Sequence, residues 1–258
     1  DEWEVDLPID VKGADTLVVF SSIEVMKFPE NIAAIAKILN TAGEKWTLST
    51  KGREVVNFGF YEGNPELTVK FIQRIFDAAT ELGVKKIVVT ECGHAYDALR
   101  WTSYNLMEVP AGIEITHIVG LIGEYLNSGK IKLKSGSFKD GTITFHDACK
   151  IQRRGGHIKE PRQVLNILAP DSFKEMTPNK EESICCGGGG GVIAIKEADP
   201  VRYAAFELKI DQINKVGAKT VVMSCSNCRL QFVDCVQHFN LDLKIKGLSQ
   251  MVADALEE

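Results

Sequence analysis

Four apolar runs punctuate the chain: Thr16–Phe20, Lys86–Thr90, Thr142–His146 and Thr220–Ser224. Each is short and rich in Val, Ile or Thr, which predicts strands buried in a sheet. Between them the apolar spacing turns helical. Pro29–Thr41 opens on a proline in its first turn and stops before Gly43, the usual asymmetry of helix ends. Asn64–Leu82 opens Asn-Pro-Glu and stops at Gly83, and Asp199–Val216 opens Asp-Pro and stops at Gly217. Strands alternating with helices predict an α/β fold of parallel βαβ layers, with both sheet faces covered.

The pattern occurs twice. Helix Asn64–Leu82 followed by Gly83-Val-Lys-Lys-Ile-Val-Val-Thr matches helix Asp199–Val216 followed by Gly217-Ala-Lys-Thr-Val-Val-Met-Ser. Ser135–Gly141 (Ser-Gly-Ser-Phe-Lys-Asp-Gly) is the best linker between the copies. The expected organisation is two pseudo-symmetric, Rossmann-like lobes, residues 1–134 and 142–258.

Composition narrows the function classes. The 258 residues are 45% hydrophobic and 25% charged, with a net charge of −5, ordinary values for a folded domain pair. That charge gives no reason to expect nucleic acid or an anionic membrane surface as partner. No segment approaches the roughly 20 apolar residues of a membrane span, and no signal peptide opens the chain. The chain begins with Asp1 instead of Met, which predicts a processed product or part of a longer subunit. Seven cysteines without an export signal favour a reducing compartment and metal ligation over a disulfide framework.

Five of those cysteines form one pattern. Cys149 is followed after 35 residues by the pair Cys185-Cys186, and after 38 more by Cys225-Ser-Asn-Cys228. Thiolates are the natural ligands of soft metal centres and iron–sulfur clusters. Adjacent side chains on an extended chain diverge, so a multi-iron core uses Cys185 and Cys186 together more readily than a single ion does. Gly187, Gly188, Gly189 and the two glycines after them let backbone approach a bulky core, with N–H groups directed at its sulfurs. A zinc knot on four of the thiolates competes, but zinc sites usually repeat a close pair, and here only Cys225 and Cys228 form one. The repeat carries this spacing backward: Cys149 pairs with Ser21, Cys185-Cys186 with Asn57-Phe58, Cys225 with Cys92 and Cys228 with Ala95. The first copy keeps one of five ligand positions, so it is not expected to hold a cluster.

The phrases His146-Asp-Ala-Cys149, Cys185-Cys-Gly-Gly-Gly and Ser224-Cys-Ser-Asn-Cys228 resemble the cysteine-rich CCG domain. That domain occurs in the B and D subunits of heterodisulfide reductase and in subunits of anaerobic glycerol-3-phosphate dehydrogenase and lactate-utilisation enzymes. The resemblance covers nearly the whole chain, as two tandem copies. The segment Thr90-Glu-Cys-Gly-His-Ala-Tyr-Asp-Ala-Leu99 looks more particularly like the heterodisulfide-reductase-D-like subunit (DsrK type) of the sulfite-reduction-associated DsrMKJOP membrane complex. The resemblance implies a noncubane [4Fe-4S] cluster held by Cys149, Cys185, Cys186, Cys225 and Cys228. It also implies reduction or formation of a disulfide or trisulfide, with a small sulfur-carrier protein presenting C-terminal cysteines as substrate. The ferredoxin run C-x2-C-x2-C-x3-C-P is absent, so a ferredoxin-type segment or subunit is an expected partner. A membrane quinone-linked subunit is another, with the chain itself cytoplasmic and peripheral to the inner face of the membrane.

Cys92 and His94 are the catalytic candidates. Strand C-termini line crevices in such folds, so Cys92 is a candidate redox-active thiol or extra ligand facing the cluster site, expected where the lobes meet and towards the C-terminal one. His94 is a candidate proton donor to a leaving thiolate. The plainer readings are a buried packing cysteine and a backbone-bonded histidine. His146 at a strand end reads as a satisfied packing histidine, and Cys235 as core. Lys150, Arg153, Arg154, His157 and Lys159 read as a solvated face or a docking patch. No Gly-Lys-Ser/Thr closes the glycine run, so a phosphate loop is excluded. Two other functions compete: an electron-relay subunit in lactate or glycerol-3-phosphate oxidation, and a zinc-stabilised scaffold.

Overall fold

The computed structural model describes residues 5–56 and 58–257. The chain divides into two compact units, Asp1–Ile131 and Lys132–Glu258. The segment Ser135–Gly141 belongs to the second unit, where Gly136 and Phe138 donate backbone hydrogen bonds to Ile167 and Leu168.

The first unit is built on strands β1 (Thr16–Val19), β2 (Trp46–Thr47), β3 (Lys86–Val89) and β4 (Glu114–His117), all parallel in the order β2-β1-β3-β4. Its helices are α1 (Ser22–Lys27), α2 (Pro29–Thr41), α3 (Pro65–Leu82), α4 (Gly93–Asp97), α5 (Ser103–Leu106) and α6 (Ile118–Ser128). Helix α3 forms where the sequence predicts it. Asn64 caps its start through Leu67 N, and Gly83 ends it at φ 74°, a left-handed position that glycine takes without strain. Its inner face, Ile72, Ile75, Phe76, Ala79 and Leu82, packs with Leu17, Val19, Ile87 and Val89 of β1 and β3.

The second unit repeats the plan. Strands β5 (Ile143–His146), β6 (Thr220–Met223) and β7 (Lys244–Gly247) are parallel in the order β5-β6-β7, the counterpart of β1-β3-β4, and a single parallel bridge from Phe173 to Ile143 stands where two-residue β2 stands in the first unit. Helices α7 (Lys159–Leu168), α8 (Asp199–Val216), α9 (Ser226–His238) and α10 (Leu248–Asp254) complete it. The repeat extends to single residues. Gly59 and Gly187 both take left-handed backbone, φ 80° and 86°. A Cβ on the first would meet Thr68 N at 2.8 Å, and on the second Arg202 O at 3.3 Å, each the fourth residue of the following helix. Asn57, the counterpart of Cys185, lies outside the described residues.

Candidate metal centre

The ends of β5 and β6 and the loop before α8 place three segments together. Beyond β5, Cys149 opens a π-helical turn, Cys149–Arg153. Beyond β6, Cys225 is the N-cap of α9, and Cys228 lies in that helix's first turn. The loop before α8 supplies Cys185 and Cys186. Cys186, Cys225 and Cys228 are buried, while Cys149 and Cys185 are partly exposed.

All five thiols belong to one connected set. Cys149 donates to Cys185, Cys186 also donates to Cys185, and Cys228 is bonded to both Cys186 and Cys225. The hydrogen bond to Cys185 is the main cause raising the Cys149 thiol, with burial second. Accepting from Cys149 and Cys186 drives the Cys185 thiol strongly down. Cys186 is raised chiefly by donating to Cys185, and Cys228 by its bonds to Cys186 and Cys225. The Gly187 N–H donates to Cys185 Sγ at 3.5 Å, and the Gly188 N–H to Cys186.

Five clustered thiols exceed the four donors of a closed zinc site. A soft, anionic donor set reaching in several directions fits a multi-iron sulfide core. The glycines have a steric reason besides the one read from sequence. A Cβ on Gly188 would lie 2.7 Å from Gln231 Cβ of α9, so this loop is held against α8 and α9 as well as against sulfur. Gly189 is half-buried, and its carbonyl accepts from Val192 N.

A polar shell positions the set. Buried Asp147 accepts from Arg162 Nη2 at 2.7 Å and from Lys180 N at 2.8 Å, and its own carbonyl accepts from Ser183 Oγ. The residue two before Cys149 thus holds the segment that leads to Cys185. Lys209 of α8 is 1% exposed and donates to Gln212 Oε1 at 2.9 Å. Burial lowers its ammonium to about 8, opposed by the charges of Cys186 and Cys228. Neither Asp147 nor Lys209 stands out in the sequence; adjacency to Cys149 is the one signal for Asp147.

His146 corrects an expectation. It is fully buried, yet neither ring nitrogen has a hydrogen-bond partner. Its donor atom and the sulfurs of Cys186 and Cys228 lie within 4.8 Å of one another. Burial, then Lys209, holds its pKa well below the usual value. Cys235 is a core residue that accepts from Gln231 Nε2 at 3.2 Å, its thiol pushed up to about 12 by burial. Of the basic run, Arg153 reaches Ser183 O and His157 pairs with Glu160.

Cys92 and His94 belong to the first unit. Cys92 is 3% exposed, lies in the apolar core, and its Sγ accepts from Ala95 N at 3.4 Å as the N-cap of α4. His94 is half-buried, with its ring edge-on to Tyr61 at 6.2 Å. In this unit the carboxylate of Glu24 ties the strand ends. It accepts from Ser21 N and Oγ, Asn31 Nδ2, Thr90 Oγ1 and Glu91 N.

The segment 143–233, which contains all five cysteines, matches the family described as "Cysteine-rich domain" and named CCG. The second unit carries a CCG cysteine-rich domain. Comparisons over most of this chain extend beyond residues 143–233. The chain is 26% identical to the Hdr-like menaquinol oxidoreductase iron-sulfur subunit 2 of Archaeoglobus fulgidus, covering 96% of this chain and 52% of that protein. It is 25% identical to the D subunit of the dihydromethanophenazine:CoB–CoM heterodisulfide reductase of Methanosarcina acetivorans, covering 97% and 62%. It is 26% identical to the EtfAB:quinone oxidoreductase of Syntrophomonas wolfei, covering 87% and 32%. The chain therefore spans about half the length of the first of these relatives. A crystal structure of a hypothetical protein from Helicobacter pylori shares the fold, with TM-score 0.60 at 15% identity, over 98% of this chain and 51% of that one. Among the described residues no helix is long and apolar enough to cross a membrane.

Proposed function

We propose that this chain is an iron–sulfur redox subunit of a heterodisulfide-reductase-like complex, with a noncubane [4Fe-4S] cluster on Cys149, Cys185, Cys186, Cys225 and Cys228. The observation that carries this reading is the connected set of five thiols, assembled by three separate segments of one unit. The relatives named for iron–sulfur and heterodisulfide reductase subunits point the same way. When bound, the cluster supplies one-electron chemistry beside a sulfur–sulfur bond. The proposed overall reaction converts a disulfide, two electrons and two protons into two thiols, or runs in reverse. A trisulfide is handled alike, one sulfur–sulfur bond per electron pair.

The chain's own residues do the rest. Gly187 and Gly188 turn their N–H groups to the ligand sulfurs, and Asp147 fixes the Cys185 loop. Lys209 offsets negative charge in a buried site, where an uncompensated anion is costly. The partly exposed edge at Cys149 and Cys185 is the proposed approach for substrate sulfur. The substrate is proposed to be a small sulfur-carrier protein with C-terminal cysteines, as in the complex of DsrK type. Electrons are proposed to pass through a ferredoxin-type segment and a membrane quinone-linked subunit, placing the chain on the cytoplasmic face. Cys92 and His94 are proposed as thiol and acid in the sulfur step.

A second reading rests on the relative named as a quinone oxidoreductase: the same cluster relays electrons without touching a disulfide. A persulfidated carrier protein separates the two. Thiol-dependent turnover, with a paramagnetic signal that changes on adding the carrier, supports the first reading. Reduction by a quinol partner with no response to any thiol or disulfide rejects it.

A further inference from the structure

His146 ends β5, three residues before Cys149. Its ring is 0% exposed, with both nitrogens unpartnered and a donor atom within 4.8 Å of the sulfurs of Cys186 and Cys228. Phe232 of α9 packs on the ring, centroids 4.9 Å apart, and so limits where it can turn. Leaving a buried donor or acceptor unsatisfied is costly. A hydroxyl such as that of Thr144 leaves one such atom, but an imidazole with both nitrogens unpartnered marks a position shaped for a partner the protein chain does not supply. The two nearby sulfurs belong to the five-cysteine set, so the partner it faces is the group those cysteines hold.

We propose that His146 donates a ring N–H to a sulfur of the cluster at Cys186 and Cys228, and that this bond raises the cluster's reduction potential. The inference rests on the iron–sulfur reading above. Reduction adds negative charge to the cluster, and an N–H dipole aimed at its sulfur stabilises that reduced state more than the oxidised one. The strand end and Phe232 hold the donor in place, so the contact needs little reorganisation. His146 is here a positioning and tuning residue, since its ring faces the sulfurs of Cys186 and Cys228 and acts through the group they hold.

The test uses the full chain in its complex, isolated without air, comparing wild type with His146→Phe and His146→Gln. Phe keeps the ring and its packing but has no N–H, while Gln keeps a donor. The expected result is near wild-type iron and sulfide in both variants. At fixed applied potential the reduced-to-oxidised ratio falls about tenfold in His146→Phe, about 59 mV for one electron, and His146→Gln recovers part of it. Pulsed EPR of the wild type should show weak nitrogen coupling that disappears when histidine is replaced; this measurement stands even if a variant fails to fold. An unchanged ratio in His146→Phe, or no nitrogen coupling in wild type, overturns the proposal. Strong coupling, as from nitrogen bonded to iron, also overturns it by making His146 a ligand. Wild type lacking iron and sulfide defeats the underlying cluster reading instead.

Discussion

Helices α3 and α8 occupy the same place in the repeat, yet they turn opposite kinds of side chain inward. Helix α3 buries Ile72, Ile75, Phe76 and Leu82. Helix α8 buries Arg202, Lys209 and Gln212 beside Phe206 and Ile213, and leaves Val201 and Leu208 in solvent at 71% and 53% exposure. The first helix covers a hydrocarbon core. The second carries polar groups inward: Lys209 answers the charges of Cys186 and Cys228, while Arg202 is held by Asp199 and Asp234. The strand ends teach the same lesson. Cys92 spends its sulfur capping α4, whereas Cys225, at nearly the same backbone angles, makes no such cap and joins the thiol set. Where the second unit gathers five thiols, the first ties Ser21 to Thr90 and Glu91 through one buried carboxylate. A hydrogen-bonded crosslink stands where the other copy offers a metal site.

The largest effect should come from the thiol set itself. Cys186→Ser is expected to lose most of the iron and sulfide, while Cys92→Ser keeps both, read by metal and sulfide assay. Equal losses would erase the distinction between the copies. Asp147→Asn comes next. It weakens a buried ion pair with Arg162, and breaking such pairs costs about 3 kcal/mol; urea unfolding should show that loss together with faster iron release. Glu24→Leu strips the partner from five donors and is expected to cost about 3 kcal/mol in the first unit, with cluster content unchanged. Gly188→Ala forces a methyl against Gln231 and should cost about 2 kcal/mol. The smallest effect is a pH slope. Burial raises the Glu24 carboxyl above its ordinary value of 4.5 despite its donors. Its contribution is therefore full below about pH 4.5 and declines as pH rises through the raised value. Relative to wild type, Glu24→Gln should gain urea resistance as pH rises; a constant difference would show that the carboxyl titrates normally.

Much of this is legible in the sequence. Helices Pro29–Thr41 and Asp199–Val216 form at the expected residues because proline starts and glycine stops them. The four apolar runs become β1, β3, β5 and β6, one residue shorter at an end. Strand β7, Lys-Ile-Lys-Gly, is not legible that way, because an edge strand carries polar residues that weaken the apolar signal. Strand β4 is as short and begins with an exposed glutamate. The five cysteines are legible from spacing alone. The unsatisfied ring of His146 is not, since a strand-end histidine normally finds a partner, and only packing shows that this one lacks it. Lys209 is hidden for the opposite reason: a lysine in a polar helix reads as solvent-facing.

The most direct measurement is iron, acid-labile sulfide and zinc per chain in protein purified without air, with a Cys186→Ser control. The expected result is about four irons with matching sulfide, lost in the control, and negligible zinc. Zinc without sulfide in the wild type would contradict it and make the second unit a structural module.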